Sequence, residues 1–299
     1  MWCSRVLSAM VVLIALIGGV GAGETVPGAA VESASESGDE AALDSIQALR
    51  SRLEGILEPH LTAGELNGAA LVVRGGSPVL IQAYGQAHAE WDVPNTRDTR
   101  FDLFSMTKSF TAILVLQLVR EGKIDLDFPI TAYLPFYRKD TGARVSIHHL
   151  LSHTHGIPDI GYDRLPVVLD ATVPEFLAAY ASGDLQFIPG SRFAYSGLAG
   201  YTILGAIIQE VTGESYEQVL AKRIIEPLGL ADTGFISGSD TIPRLATSYV
   251  GTTAERRTYF FRVESNGASS IFSSVEDLHR WFEAVVAHRL LSPELTEAM

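Results

Sequence analysis

Ser105 and Lys108 stand three residues apart in the stretch FDLFSMTKSF, directly ahead of the apolar run FTAILVLQLV. The chain contains only four lysines, and a lysine is costly to bury among apolar residues, so this one is a candidate for chemistry. On a helix, residues three apart lie on one face with Cβ atoms about 5–6 Å apart, which lets the amine reach the serine oxygen. The pair is therefore a candidate nucleophile and activator.

The surroundings of Lys108 indicate how it would act. A free lysine has a pKa near 10.4, whereas burial among apolar residues lowers the pKa because it disfavours the charged form. A serine in the first turn of a helix also has backbone N–H groups and the positive end of the helix dipole nearby. The N–H of Ser105 itself would be one oxyanion donor. Ser-x-x-Lys alone is expected about once by chance in such a chain. The flanking sequence must therefore show whether this match is catalytic.

The elements that position this pair are predicted from hydrophobic periodicity. Residues 106–118 are apolar on every side, as in a buried central helix, and Gly122 follows in the stop position. Three further helices are predicted in the segments SIHHLLSHTHGIP, GYTILGAIIQEVTG and SSVEDLHRWFEAVVAH. Gly213 ends the second of these, and Ser274 caps the third.

Strands are predicted only before residue 105. The segment SIQALRSRLEGILEPHL has apolar residues at helical spacing, and it precedes two β-rich runs in GAALVVRGGSPVLIQAYGQA. A helix followed by a β-hairpin is therefore expected, with helices dominating the rest of the chain.

Several segments resemble those of one protein family. FDLFSMTKSFTA is similar to the active-site segment of the serine β-lactamase and penicillin-binding-protein superfamily, especially its class C-like branch of esterases, D-aminopeptidases and D,D-carboxypeptidases. Further similar segments follow in the family's order, over about residues 60–299: EGKIDLDFPITAYLP, HHLLSHTHGIPD, FIPGSRFAYSGLAGYTILGAIIQEVTGESY, IIEPLGLADTGF and SSVEDLHRWF. The resemblance implies a β-lactamase/D,D-peptidase-like α+β fold, with an antiparallel sheet flanked by helices, a helical region, and the active site between them.

Tyr195-Ser196-Gly197 stands where that branch has Tyr-Ser-Asn. The resemblance implies that Tyr195 relays a proton between the serine and the leaving group, with the charge of Lys108 lowering the pKa of the phenol. A neutral Lys108 would instead be the base itself, and the sequence leaves both alternatives open. Gly197 occupies the substrate-binding position without the asparagine amide, which weakens a β-lactamase function and favours an ester substrate.

The family's third motif, Lys or His followed by Thr or Ser and then Gly, does not follow Tyr195. In the family this motif lies on a strand beside the nucleophile, and its N–H completes the oxyanion hole. Since the sequence stops at LLSPELTEAM, about where the family's last strands begin, we expect a chain truncated at its C-terminus that lacks the C-terminal strands of the sheet. Downstream sequence is expected to contain the tripeptide.

A cluster of histidines raises the possibility of a zinc site. Its members are His148, His149, His153 and His155. His149 and His153 are one helical turn apart, but no acidic third ligand accompanies them, and LLSHTHG matches a structural turn of the family. The expected chemistry needs neither a metal nor a cofactor.

Composition and the N-terminus narrow the function classes. A net charge of −13, without clustered Lys and Arg, argues against nucleic-acid binding, and 47% hydrophobic residues fit a folded body. Arg5, the apolar run Val6–Val20 and small residues near Ala22 have the layout of a secretory signal, too short to span a bilayer easily. Cys3, the only cysteine, lies within it.

The sequence thus predicts a signal peptide at 1–22, a flexible acidic linker at 23–44 and a hydrolase domain, incomplete at its C-terminus, at 45–299. The location would be periplasmic or secreted, with membrane contact only through an uncleaved signal.

The predicted activity is that of a serine hydrolase acting on ester or amide carbonyls through an acyl-enzyme, with β-lactams and D-amino-acid peptides among the candidate substrates. Ser105 would be the nucleophile, Lys108 the activator and Tyr195 the proton relay. The partner would be a small molecule or peptide. The alternative is a non-catalytic pseudoenzyme or a penicillin-binding sensor module, as Gly197 and the absent third motif would suggest.

Overall fold

The computed structural model describes residues 10–12, 46–64, 66–74, 77–159, 172–237, 241–250, 257–258 and 267–299. The predicted linker and most of the predicted signal lie outside these ranges. The chain divides into two compact units, Met1–Thr99 with Ala246–Phe260, and Arg100–Leu245 with Phe261–Met299. No helix in the described ranges has the length and apolar character needed to cross a membrane.

Helices and short antiparallel strands make up the described structure. The strands are β1 (Met10–Val12), β2 (Gly68–Arg74), β3 (Ser77–Tyr84), β4 (Gln86–His88), β5 (Val93–Pro94), β6 (Phe101–Asp102), β7 (Gly234–Phe235), β8 (Tyr249–Val250), β9 (Arg257–Thr258) and β10 (Ile271–Ser273). The helices are α1 (Ile46–Thr62), α2 (Thr107–Arg120), α3 (Ile130–Tyr133), α4 (Lys139–Gly142), α5 (Ile147–Leu151), α6 (Val173–Tyr180), α7 (Ala199–Thr212), α8 (Tyr216–Leu220), α9 (Glu226–Leu228), α10 (Val275–Val286) and α11 (Pro293–Ala298).

The first unit contains the predicted helix and hairpin. Strands β2 and β3 pair antiparallel, and β1 pairs with the other edge of β2, with Met10 opposite Val73. Leucines recur at every fourth position of α1 and so share one face, Leu49, Leu53 and Leu57. This face packs on three buried strand side chains, Val72, Val79 and Leu80.

Helix α2 is the buried centre of the second unit. Its side chains from Phe110 to Leu118 are buried on every side, as its apolar sequence predicts. The ring of Phe110 stacks on Trp281 of α10, with ring centroids 4.4 Å apart. A 3₁₀ turn, Phe104–Met106, leads directly into the helix. Beyond the helix, Gly122 has a φ of 68°, a left-handed conformation that glycine adopts without strain.

The other predicted helices and their ends are confirmed. α7 ends at Gly213, whose φ is 70°, and α10 begins at Ser274, whose hydroxyl accepts the N–H of Asp277 at 3.2 Å. The short helix α5 begins in the same way, with Ser146 accepting the N–H of His149.

The prediction that strands occur only before residue 105 is wrong. β10 lies between β6 and β7 in an antiparallel sheet, with Phe272 opposite both Asp102 and Gly234. Strands of two or three residues are too short to show a two-residue hydrophobic alternation. Their partners come from distant parts of the chain, so their pairing has no local signature.

Candidate active site

Ser105 lies in the 3₁₀ turn that precedes α2, on backbone held by its neighbours. Phe104, immediately before it, has a φ of 45°, which is strained for a bulky residue. The Asp102 carboxylate accepts the N–H of Phe104 at 2.9 Å, and the N–H of Leu103 donates to the carbonyl of Ile271 at 2.8 Å. The turn that carries the serine is thus joined both to its own strand and to β10.

Lys108 is almost completely buried, with 6% of the residue exposed, and its amine meets three oxygens. Nζ lies 3.1 Å from Ser105 Oγ, 2.7 Å from the Gly197 carbonyl and 3.2 Å from the Ala268 carbonyl. Burial lowers the pKa of Lys108 to about 8, against the opposing effect of the Asp159 charge. At neutral pH roughly one lysine in ten would then be uncharged and able to accept a proton.

The three oxygens around Lys108 suit a neutral amine as well as a charged one. An ammonium group has three hydrogens and would donate to all three oxygens. A neutral amine has two hydrogens for the carbonyls of Gly197 and Ala268, and its lone pair then remains for the Ser105 hydroxyl. Because carbonyl oxygens only accept, they turn the amine so that it can receive the serine proton.

Tyr195 lies beside this pair without a hydrogen bond to it. Lys108 Nζ is 5.5 Å from the centroid of the Tyr195 ring, a distance suited to a cation–π contact. The residue is 56% exposed, and among the described residues no hydrogen bond joins its hydroxyl to Ser105. The ring of His153 packs at a tilt against it, with centroids 4.7 Å apart. The structure therefore brings Tyr195 to the site as a partly exposed residue.

Gly197 contributes through its backbone. Its carbonyl accepts from Lys108, and its N–H donates to the carboxylate of Asp159. These contacts link the loop after Tyr195 to the lysine. A direct contact between Gly197 and substrate stays a prediction.

Three of the four clustered histidines accept backbone hydrogen bonds rather than lying free to bind a metal. Each of these three rings accepts a backbone N–H at Nδ1. The donor is Ser146 for His149, Ser196 for His153 and Ile157 for His155. Burial lowers the pKa of His155 to about 4, so its ring is neutral at physiological pH. Within the described ranges, no group of three or more His, Cys, Asp or Glu side chains could hold a metal ion.

Sequence reasoning did not single out Asp102, Asp159 or Ala268, and it considered His153 only as a zinc ligand. Asp102 lies inside the segment FDLFSMTKSF, where a carboxyl two residues before a turn was a usable signal. Asp159 lies at the end of HHLLSHTHGIPD, with no local sign of its partners. Ala268 acts through its carbonyl, a group that every residue carries.

Comparison with known proteins places the chain among β-lactamase-like proteins. Residues 53–299 match the family model described as Beta-lactamase. The esterase EstB of Burkholderia gladioli is 35% identical over 206 residues, which cover 63% of this chain and 52% of the relative. The chain spans about half the length of the curated relatives it matches.

Two solved structures share the fold. The penicillin-binding protein from Bacillus halodurans superposes with a TM-score of 0.71 at 28% identity, covering 82% of this chain and 76% of that one. The D-amino acid amidase from Ochrobactrum anthropi SV3, in complex with L-phenylalanine, has a TM-score of 0.71 at 31% identity, covering 83% and 72%. The predicted α+β, β-lactamase-like fold class is confirmed.

Proposed function

The chain belongs to the Beta-lactamase family, and we propose that it is a serine hydrolase that cleaves ester or amide carbonyls through an acyl-enzyme. The observation that carries this proposal is the buried Lys108 amine 3.1 Å from Ser105 Oγ, with two carbonyls accepting its hydrogens. An amine held in this way can remove the serine proton.

In the acylation step, Ser105 Oγ forms a bond to the substrate carbonyl carbon while its proton moves to Lys108 Nζ. The carbonyl π electrons move onto oxygen, where the Ser105 N–H and the positive end of α2 would stabilise the negative charge. When the oxygen re-forms its double bond, the leaving group departs and takes a proton from Lys108, either directly or through the Tyr195 phenol. Water then attacks the acyl-enzyme by the same steps and releases Ser105.

Esters are the substrate class that the chain supports best. Gly197 has no side-chain amide that could bind the amide group of a β-lactam or peptide. An amide substrate therefore lacks a hydrogen bond that would favour it over an ester. The relative EstB is an esterase, and it matches this chain at 35% identity. The partner is then a small-molecule ester.

The proposed location is outside the cytoplasm, in the periplasm or the medium. Its support is the N-terminal sequence alone, in which Arg5 precedes an apolar run and small residues near Ala22. Residues 1–22 would be removed as a signal peptide, and residues 23–44 would connect the new N-terminus to the hydrolase domain.

Labelling with a fluorescent fluorophosphonate tests the proposed function. We expect the wild-type protein to be labelled and Ser105→Ala to remain unlabelled, because only an activated serine reacts quickly with the reagent. Ser109→Ala is the matched control, since Ser109 lies one helical turn away and donates to the Met106 carbonyl. Absence of labelling in folded wild-type protein would instead support a non-catalytic binding module.

Turnover of p-nitrophenyl butyrate and of a chromogenic cephalosporin tests the substrate class. We expect the ester to give the higher kcat/KM, because its leaving group needs no amide contact at Gly197. A faster cephalosporin reaction would contradict the proposed preference for esters.

A further inference from the structure

Asp159 holds the loop that follows Tyr195. Its Oδ1 accepts the Ser196 hydroxyl at 2.8 Å and the N–H groups of Leu198 and Ala199 at 3.2 and 3.1 Å. Its Oδ2 accepts the N–H of Gly197. The loop leads into the 14-residue helix α7, so the carboxylate also lies at the positive end of the helix dipole. One side chain thus takes up the donors of four consecutive residues.

The same loop supplies an acceptor to the lysine. The Gly197 peptide N–H donates to Asp159, and the carbonyl of the same residue accepts from Lys108 at 2.7 Å. A displacement of Asp159 would therefore change where this carbonyl lies. Since a hydrogen bond weakens steeply with distance and angle, a small displacement would turn the amine away from Ser105.

Asp159 also acts on Lys108 by its charge. The groups that face the amine are the rings of Tyr195 and Tyr201, with centroids 5.5 and 5.7 Å away, the His153 imidazole and the Asp159 carboxylate. In the described part of the chain, Asp159 is the negative charge that favours the protonated lysine, and burial opposes it. Since the carboxylate is partly open to solvent, water reduces the size of this effect.

We propose that Asp159 is a positioning residue of the hydrolase, which holds the Gly197 carbonyl against Lys108 and favours the charged form of the lysine. This inference rests on the proposed function, since it assigns a role to Asp159 through Lys108. A purely structural helix cap would require the bonds to Ser196 and Ala199 but none to the peptide group whose carbonyl contacts Lys108. The peptide group between Gly197 and Leu198 is what connects the carboxylate to the chemistry, because its N–H donates to Asp159 and its carbonyl accepts from Lys108.

The charge of Lys108 can be measured without any activity. A protein labelled with ¹³C at the lysine Cε carbon gives one signal for each of the four lysines, and the Lys108→Arg variant assigns one of them. In Asp159→Asn we expect the Lys108 signal to titrate at a pH lower by about half a unit or more, because the charged amine loses its stabilising carboxylate. Asp140→Asn makes the same charge change at an exposed site and should leave this titration unchanged.

The rate supplies the second measurement. For p-nitrophenyl butyrate, we expect Asp159→Asn to lower kcat/KM about tenfold at pH 9, where most wild-type Lys108 is already neutral, because the Gly197 carbonyl is displaced. Asp159→Glu keeps the charge but moves the carboxylate by one methylene. It should therefore leave the Lys108 titration near the wild-type pH while kcat/KM also falls.

The outcomes separate this inference from the proposed function. A protein without Ser105-dependent labelling, whose Lys108 titration still moves in Asp159→Asn, contradicts the hydrolase and supports the link from Asp159 to the lysine. A labelled protein in which neither the titration nor kcat/KM changes overturns the role of Asp159. If Asp159→Asn does not fold, the Asp159→Glu variant decides. A kcat/KM equal to that of the wild type in this variant would overturn the proposed role of Asp159.

Discussion

Two regions meet at Lys108, and they are held in different ways. The turn of Ser105 is held on one side from close by, because Asp102 bonds the N–H of Phe104, and on the other side by Ile271 of β10. The loop of Tyr195 and Gly197 is held from a distance, because Asp159 lies 37 to 40 residues before the groups it binds. The nucleophile is thus fixed in part by local geometry, whereas the proton-handling groups depend on how the fold brings separate segments together.

The two regions also share a feature. Phe104 in the first region and His153, which packs against Tyr195 of the second, are non-glycine residues in the left-handed region, with φ of 45° and 55°. Both are held by hydrogen bonds, since the Phe104 N–H donates to Asp102, and the His153 ring and carbonyl accept from Ser196 and Ala194. Such strain persists only where surrounding contacts outweigh it, which is common at functional sites.

The largest expected effect comes from changing the lysine that both regions share. Lys108→Arg keeps the positive charge but cannot lose its proton, and we expect kcat/KM for the ester to fall about 10³-fold. Lys139→Arg, at an exposed position, is the control. A loss of less than about tenfold would mean that a permanently charged residue suffices, and that the phenol of Tyr195 acts as the base.

A change in the distant region should have the next largest effect. Tyr195→Phe removes only the hydroxyl, and we expect kcat to fall about 10²-fold, because the leaving group loses its proton relay. Tyr180→Phe in α6 is the matched control. Unchanged kcat in Tyr195→Phe would show that Lys108 alone carries the proton in both directions.

The local region should respond to pH through Asp102. Burial raises the pKa of this carboxyl to about 7 from the usual 3.8, so the folded protein binds its proton more tightly than the unfolded chain does. Stability contributed by the protonated form is therefore lost as the pH rises toward 7. Asp102→Asn has no proton to lose at this position. Between pH 5 and pH 8, its free energy of unfolding should therefore rise by about 2 kcal/mol relative to that of the wild type.

Urea unfolding of both proteins at the two pH values measures this difference, and other titrating groups cancel in the comparison. Equal pH dependence in the two proteins would show that the Asp102 carboxyl ionises normally.

The smallest expected effect is the loss of the local hydrogen bond. Asp102→Ala removes the acceptor of the Phe104 N–H, and we expect kcat/KM to fall about tenfold as the strained turn relaxes. Asp102→Asn keeps an acceptor oxygen and should retain more activity than the alanine variant. If Asp102→Ala lowers activity as much as Tyr195→Phe, then the local region is as sensitive as the distant one.

The sequence predicted most of what is local. The closeness of Ser105 and Lys108, the glycine that follows α2 and the serine that caps α10 all follow from short-range rules. The short strands β7 and β10 were not predictable in this way, because two or three residues carry no pattern and their pairing depends on distant partners.

By itself, then, the sequence determined which residues can react and which helices carry them, because spacing along a helix translates directly into a shared face. Only the tertiary structure decided which groups contact the amine of Lys108. The carbonyls of Gly197 and Ala268 lie 89 and 160 residues further along the chain, and the carboxylate of Asp159 reaches the same place from a third segment. A backbone carbonyl is identical in every residue, so no sequence pattern marks the two that direct this amine toward Ser105.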